Sequence, residues 1–221
     1  MRQKSQAQRD GDNGGNRRPP GRPRSEQAHS AILSSTLKLL GENGFPDLTI
    51  EAVAAHAGVG KATVYRWWPD KAALITDAFS SSATPKLRFP DTGSVRTDMS
   101  QQMRQVIKIF SSPRGRILSA ILAAGQSDRK LIAAFRERFM RPRRQEAYAT
   151  LRRGIRRGEL RRDADLDLLL DSLYGPIYMR FFIRHDRLTP DFVEGLCDLV
   201  LGGARPQSRV GTRTRKPKYL G

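Results

Sequence analysis

Acidic residues are scarce beside basic ones in this 221-residue chain: 22 Asp and Glu stand against 40 Lys and Arg, a formal net charge of +18. A single cysteine, Cys197, excludes an intrachain disulfide and a cysteine-based zinc site. The three histidines, His29, His56 and His185, stand alone without metal-ligand spacing, so no metal is expected. The longest uncharged run, Ile117 to Ser127, falls far short of the roughly 18–20 apolar residues that span a bilayer. No apolar stretch follows the basic N-terminus, as a secretory signal requires. Alternating β-branched runs and internal repeats are also missing. These absences lead to the expectation of a cytoplasmic, reduced, soluble, all-α protein with no cofactor and no membrane partner.

The surplus charge lies at both ends. Residues 1–24 carry seven Lys or Arg and two acids, and residues 204–221 carry six and none. Both segments have almost nothing to bury, so 1–24 is expected as a disordered basic arm and 204–221 as a disordered basic tail. The body between them is moderately basic and long enough to bury a core. A basic excess of this size favours nucleic acid as the partner.

Within the body, Ile32, Leu33, Leu37 and Leu40 recur at helical spacing, and Glu42-Asn43-Gly44 supplies a stop. Two short helices are expected at about 49–57 and 60–67, and a third from Asp70 into the early 80s. Pro85 to Gly93 holds two prolines and a glycine, which makes it the joint between a small domain at 25–84 and a larger one at 94–203. Helices are then expected at Val95–Phe110, after Pro113, and along Leu131–Arg157 with a break or kink at Pro142. Asp165–His185 reads as a helix interrupted at Gly175-Pro176, and a last helix starts at Thr189-Pro190 and stops at Gly202-Gly203.

The most informative stretch is Thr49 to Lys71. Thr49 is a good N-cap. Ala54 is followed at four and ten residues by Gly58 and Val64, as a helix-turn-helix requires: a small residue where the helices cross, one that tolerates a left-handed turn, and a branched apolar anchor. Ile50, Val53, Val59 and Val64 are then inward. Lys61, Ala62, Thr63, Arg66 and Trp67 lie on the outer side of the second helix, placed to enter a major groove. The run Phe45…Leu48-Thr49…Val53-Ala54…Ala57-Gly58-Val59…Thr63-Val64-Tyr65…Lys71…Leu74 resembles the DNA-binding domain of the TetR family of bacterial transcriptional repressors, densely over residues 26–80. The resemblance implies that Tyr65 contacts phosphate, that Thr49 and Lys71 also hold the backbone, and that residues around Lys61–Thr63 approach base edges. Arg66-Trp67-Trp68 departs from the pattern; one tryptophan is core and the other groove-facing, with the sequence silent on which.

Residues 113–203 also resemble one type of C-terminal ligand-binding domain in that family. The cues are Leu151-Arg-Arg-Gly-Ile-Arg-Arg-Gly-Glu-Leu160, Leu173-Tyr-Gly-Pro-Ile-Tyr178, and Phe192-Val193…Leu199-Val200-Leu201. Such domains pair through their last two helices into a homodimer. Those two helices carry more apolar surface here than one face needs. The candidate interface residues are Leu169, Leu173, Ile177, Phe181, Phe192, Leu196, Leu199 and Val200. The candidate pocket residues are Met103, Ile107, Phe110, Leu122, Phe139, Tyr148, Tyr174 and Tyr178, in which tyrosine hydroxyls punctuate an apolar cavity.

Several features invite other readings. Gly58-Val-Gly-Lys61 suggests a phosphate loop, but Ala55 stands where that motif needs glycine and Ala62 where it needs Ser or Thr. Gly21-Arg22-Pro23-Arg24 resembles a minor-groove hook; Arg22 and Arg24 fit either such a hook or a general phosphate-attracting arm. Thr212–Lys218 reads as a nonspecific electrostatic tail. Arg152, Arg153, Arg156 and Arg157 form a cationic face, ordinarily solvated. Cys197 reads as core or interface. No nucleophile-base set or metal cluster supports an enzyme. The sequence thus points to a DNA-binding regulator, a repressor released from a pseudo-palindromic double-stranded operator by a small-molecule effector. A constitutive architectural DNA binder is the alternative.

Overall fold

The computed structural model describes residues 22–206, and among these every regular element is helical. Helix α1 spans Arg22–Asn43, α2 Ile50–His56, α3 Lys61–Trp67 and α4 Lys71–Ala83. They are followed by α5 (Val95–Phe110), α6 (Pro113–Ala124), α7 (Arg129–Phe135), α8 (Arg141–Arg156), α9 (Leu166–Ile183) and α10 (Pro190–Gly203). Most starts are set by side chains that satisfy the first free N–H groups. Thr49 accepts from Ala52, Asp70 from Ala73, Ser94 from Thr97, Asp165 from Leu168 and Thr189 from Phe192. Pro113 and Pro190 sit in first turns, where a missing N–H costs nothing.

Three sequence expectations change. The basic arm was placed through residue 24, yet α1 already begins at Arg22, because Pro23 is tolerated in a first helical turn. At the other end Ala204 is buried and its carbonyl accepts from Arg161 N at 2.9 Å, so the ordered chain runs past 203. The remaining arm and tail residues, 1–21 and 207–221, lie outside the described residues. In α9, Gly175-Pro176 does not interrupt the helix, which continues unbroken to Ile183.

Pro142 acts differently again. A proline inside a helix lacks its N–H and crowds the carbonyl four residues back. Here a π-helical turn at Arg136–Met140 immediately precedes it, with Arg141 N–H bonded to Arg136 O, so α7 and α8 join through a widened turn. The long helix bulges and does not break.

α1, α2, α3 and the start of α4 form the N-terminal unit, and α5 runs through the larger part against α6, α8, α9 and α10. α4 packs on α1 at one end and on α6, α7 and the π turn at the other, so it belongs to both units. The joint is pinned as well. Thr92 donates through N and Oγ1 to the fully buried Asp98 at 2.8 and 2.7 Å, and Arg153 donates to Pro90 O at 2.9 Å. Arg153 also pairs with Asp91 at 3.2 Å, so part of the cationic face expected to be solvated instead holds the joint.

Candidate nucleic-acid interface and effector cavity

The helix-turn-helix geometry follows from its small residues. Val53, Ala54 and Val64 are buried between α2 and α3, and Gly58 turns the chain at φ 66°, a left-handed conformation that side chains resist. Val59 is half-buried. This leaves Lys61, Ala62, Tyr65 and Arg66 exposed along the outer side of α3, with Thr63 half-buried beside them. Tyr65 is 47% exposed, and a large aromatic rarely stands so far into water without a partner to meet. Thr49 stands at the α2 N-terminus with its hydroxyl on Ala52 N at 3.1 Å. Arg22 and Arg24 fall in the first turn of α1.

Two of the expected DNA ligands are engaged within the protein. Lys61 forms an ion pair with Glu51 of α2 and lies 5.9 Å from the Tyr65 ring centre. The hydrogen bond from Lys61 holds the Glu51 carboxyl below its ordinary range, and both groups remain in water. Lys71 donates to Phe45 O at 3.2 Å and sits 4.4 Å over the Phe45 ring. It therefore braces the α1–α2 loop while presenting charge near the α4 N-terminus. The tryptophans are also resolved. Trp68 is the core residue, 1% exposed and stacked on His29 at 4.8 Å; Trp67 is half-buried at the surface end of that cluster.

Trp68 has a further role that the sequence did not signal. Its Nε1 donates to Asp77 of α4 at 2.9 Å, and Arg138 of the π turn donates to the same Asp77 oxygen at 2.8 Å. The residue that closes the recognition helix is thus tied, through one carboxylate, to the larger domain.

The neighbours of Arg138 on that turn, Phe139 and Met140, line a cavity of about 80 Å³ with Phe79 of α4, Phe110 of α5, Leu118 of α6, and Leu170, Tyr174 and Tyr178 of α9. Of the expected pocket residues, Phe110, Phe139, Tyr174 and Tyr178 reach it. Met103 and Ile107 are buried in the core on other faces of α5, Leu122 packs on the core without lining the cavity, and Tyr148 bonds Asp167 and Arg144 nearer the surface. Gln102, Arg143, Arg144 and Phe89 line it without having been anticipated. Burial lowers the Arg143 pKa, raises that of Tyr174, and pushes Tyr178 up to about 12, so both phenols stay protonated.

The expected interface residues divide sharply. Leu173 and Ile177 are fully buried inside their own chain, and Leu169 and Leu196 keep only 8% of their surface. Phe181, Phe192 and Val200 are half-buried, and Leu199 stands 76% exposed. α10 buries Val193, Leu196, Cys197 and Leu201, and at the rim of that contact Arg96 and Arg104 of α5 pair with its Asp198 and Glu194 at 2.6 and 2.5 Å. The opposite stripe of α10 turns outward beside Leu168, Met179, Phe182 and Ile183 of α9, all large apolar side chains in water. Burial pushes the Cys197 thiol up to about 12, which makes it a core residue and a poor nucleophile.

A helix-turn-helix reading head joined by a shared helix to a cavity-bearing helical domain defines a ligand-responsive DNA-binding regulator. Residues 32–78 match the model of the bacterial regulatory proteins of the tetR family, and residues 89–200 that of the tetracyclin repressor-like C-terminal domain. The chain is 42% identical to the uncharacterized HTH-type transcriptional regulator YdeS of Bacillus subtilis, over 80% of this chain and 89% of that protein. It is 30% identical to the DNA-binding transcriptional repressor TetR of Mycobacteroides abscessus, over 67% and 78%. The crystal structure of the TetR family transcription regulator SCO0332 superposes with a TM-score of 0.70 at 36% identity, covering 81% of this chain and all of that one. The protein belongs to the TetR family of bacterial transcriptional regulators. It is a DNA-binding transcriptional regulator of a family of ligand-responsive repressors, not of enzymes. No described helix is long and apolar enough to cross a membrane.

Proposed function

We propose that the protein is a cytoplasmic homodimeric repressor whose two α3 helices enter successive major grooves of a pseudo-palindromic operator. Two-fold protein symmetry is mirrored in such a site. Tyr65, Thr49 and Lys71 hold phosphates, while Lys61, Ala62 and Thr63 approach base edges, with Arg66 and Trp67 at the end of the reading helix. Lys61 must exchange Glu51 for DNA as it binds. The dimer forms through the outer stripes of α9 and α10, centred on Leu199, Met179 and Ile183, where apolar side chains otherwise meet water.

One observation carries the regulatory half of this reading. Phe139 and Met140 line the cavity, and between them and Trp68 stand only Arg138 and Asp77. An effector that enlarges the cavity displaces the π turn and Phe79 of α4, and so re-aims both reading heads. It acts only through its different affinity for the two arrangements. Selection of bound duplexes from a random library at near-physiological salt tests the DNA half. An enriched inverted repeat is expected. A-tract enrichment without symmetry supports the architectural alternative, and no enrichment overturns the sequence-specific reading.

A further inference from the structure

Six aromatic side chains line the cavity, Phe79, Phe89, Phe110, Phe139, Tyr174 and Tyr178, beside a similar share of aliphatic ones. Its polar groups differ in what they have left to offer. Gln102 Oε1 accepts from the Tyr174 hydroxyl, and Arg144 is spent on Tyr148, Asp167 and Asp171. Arg143 is not spent. Its side chain is only 11% exposed; Nη1 meets Glu146 at 3.0 Å and Nη2 donates to Leu87 O, but Nε is buried with no hydrogen-bond partner. The Tyr178 hydroxyl has only the Met140 sulfur, 3.9 Å away, and a thioether is a weak acceptor.

Both unused groups are donors, and no carboxylate lines the cavity. A buried donor without an acceptor is costly, so a ligand that brings an acceptor to it is favoured. An anionic acceptor gains most, since bonds to ionised groups are roughly twice as strong as neutral ones and guanidinium does not give up its proton. The three carboxylates that neutralise Arg143 and Arg144 are Glu146, Asp167 and Asp171, with side chains 48%, 70% and 67% exposed. Their charge is spread into water, while the Arg143 side chain is buried and its Nε has no hydrogen-bond partner.

Size narrows the choice further. Drug-sized ligands need roughly 300–1,000 Å³, and an engineered cavity of about 150 Å³ takes benzene. At about 80 Å³ this cavity must grow even for one ring. Met140 is the flexible wall that allows it, carried on a π turn whose hydrogen bonding is already irregular.

We infer that the cavity takes a small aromatic acid, one ring stacked among the phenyl groups with its carboxylate on Arg143 Nε and the Tyr178 hydroxyl, an inference that rests on the cavity being the effector site. The test uses the full-length protein with benzoate and its neutral isostere benzamide, measuring binding by calorimetry and operator release separately by fluorescence anisotropy. Benzoate should bind at least about tenfold more tightly than benzamide. Arg143→Gln should bring benzoate down to the benzamide level with operator affinity unchanged in the absence of ligand. Should that variant unfold, Arg143→Met removes both the charge and the donors at similar volume and carries the same comparison. Tyr178→Phe should weaken benzoate several-fold. Equal binding of the two probes, retained benzoate affinity in the Arg143 variant, or no benzoate binding up to millimolar overturns the acid assignment and leaves the effector site standing. Benzoate binding that depends on Arg143 yet never changes operator affinity overturns the effector reading and leaves the acid assignment in place.

Discussion

Tyr65 stands 47% exposed on α3, with the Lys61 ammonium 5.9 Å from its ring centre. Phosphate contacts position a protein without reading sequence. Tyr65→Phe should therefore lower affinity for operator and for random duplex by the same few-fold, measured by titration across a salt series. Unchanged affinity and salt dependence would remove Tyr65 from the phosphate set. Lys71 differs, because its ammonium also braces Phe45, so its replacement mixes lost charge with lost packing. A glycine supplies a purely structural case. A Cβ on Gly154 would come within 2.8 Å of Val95 Cβ where α8 crosses α5. Gly154→Ala should cost about 1–3 kcal/mol through overpacking, read as a lower unfolding midpoint in urea. An unchanged midpoint would mean that α5 gives way freely there.

At the scale of elements, the proposed coupling between cavity and reading head runs through the π turn. Arg138 is partly in water, with its side chain 40% exposed, so losing its ion pair should cost stability less than about 1 kcal/mol. Its position between Phe139 and Asp77 makes it matter more for communication. Arg138→Ala should keep operator affinity within a few-fold while blunting effector-driven release, followed by anisotropy with and without ligand. Full release in the variant would route the coupling through α4 alone. Helix starts were legible because Thr49, Asp70, Ser94, Asp165 and Thr189 satisfy local N–H groups, which needs no distant partner. Proline effects were not. Pro142 suggested a kink and Pro176 an interruption, yet one follows a π turn and the other rides inside an intact helix, because packing on both sides outweighs one lost hydrogen bond.

For the whole molecule, the proposed dimer rests on the outer faces of α9 and α10. Leu199→Glu combined with Met179→Glu places charge on the exposed stripe without touching the protomer core. Sedimentation should show a folded monomer that binds an operator far more weakly than the parent. A dimer in the double variant would move the interface elsewhere. The buried phenols set an alkaline limit. Folding raises the Tyr178 pKa from an ordinary 10.0 to about 12, and Tyr174 shifts the same way through desolvation. The native state therefore binds these protons more tightly than the unfolded chain. The Tyr178 contribution to stability is fully present below about pH 10 and is lost as pH rises through about 12, and that of Tyr174 is lost in the same direction. Tyrosinate absorbance for these two should rise together with loss of helical circular dichroism; ionisation with the fold intact would show the site to be wetter than its packing implies.

The sequence by itself determined the helical class, the capped starts, the helix-turn-helix with its left-handed Gly58, and the outward set on α3. Each follows from near neighbours, from a spacing of three or four residues, or from the one conformation glycine adopts readily. Only the tertiary structure decided which apolar residues do what. Helical periodicity marks a face as apolar but does not say whether it meets its own chain, a cavity or a partner. Leu173 and Leu199 look equivalent on that count, yet one is fully buried and the other 76% exposed. The difference is made by packing: α9 buries Leu169, Leu170, Leu173 and Ile177 within its own chain and α10 buries Val193, Leu196, Cys197 and Leu201, which leaves Leu199 on the outer side. The same holds for Arg143, one arginine among 31, which acquires its orphaned Nε only where α5, α8, α9 and the joint close around it.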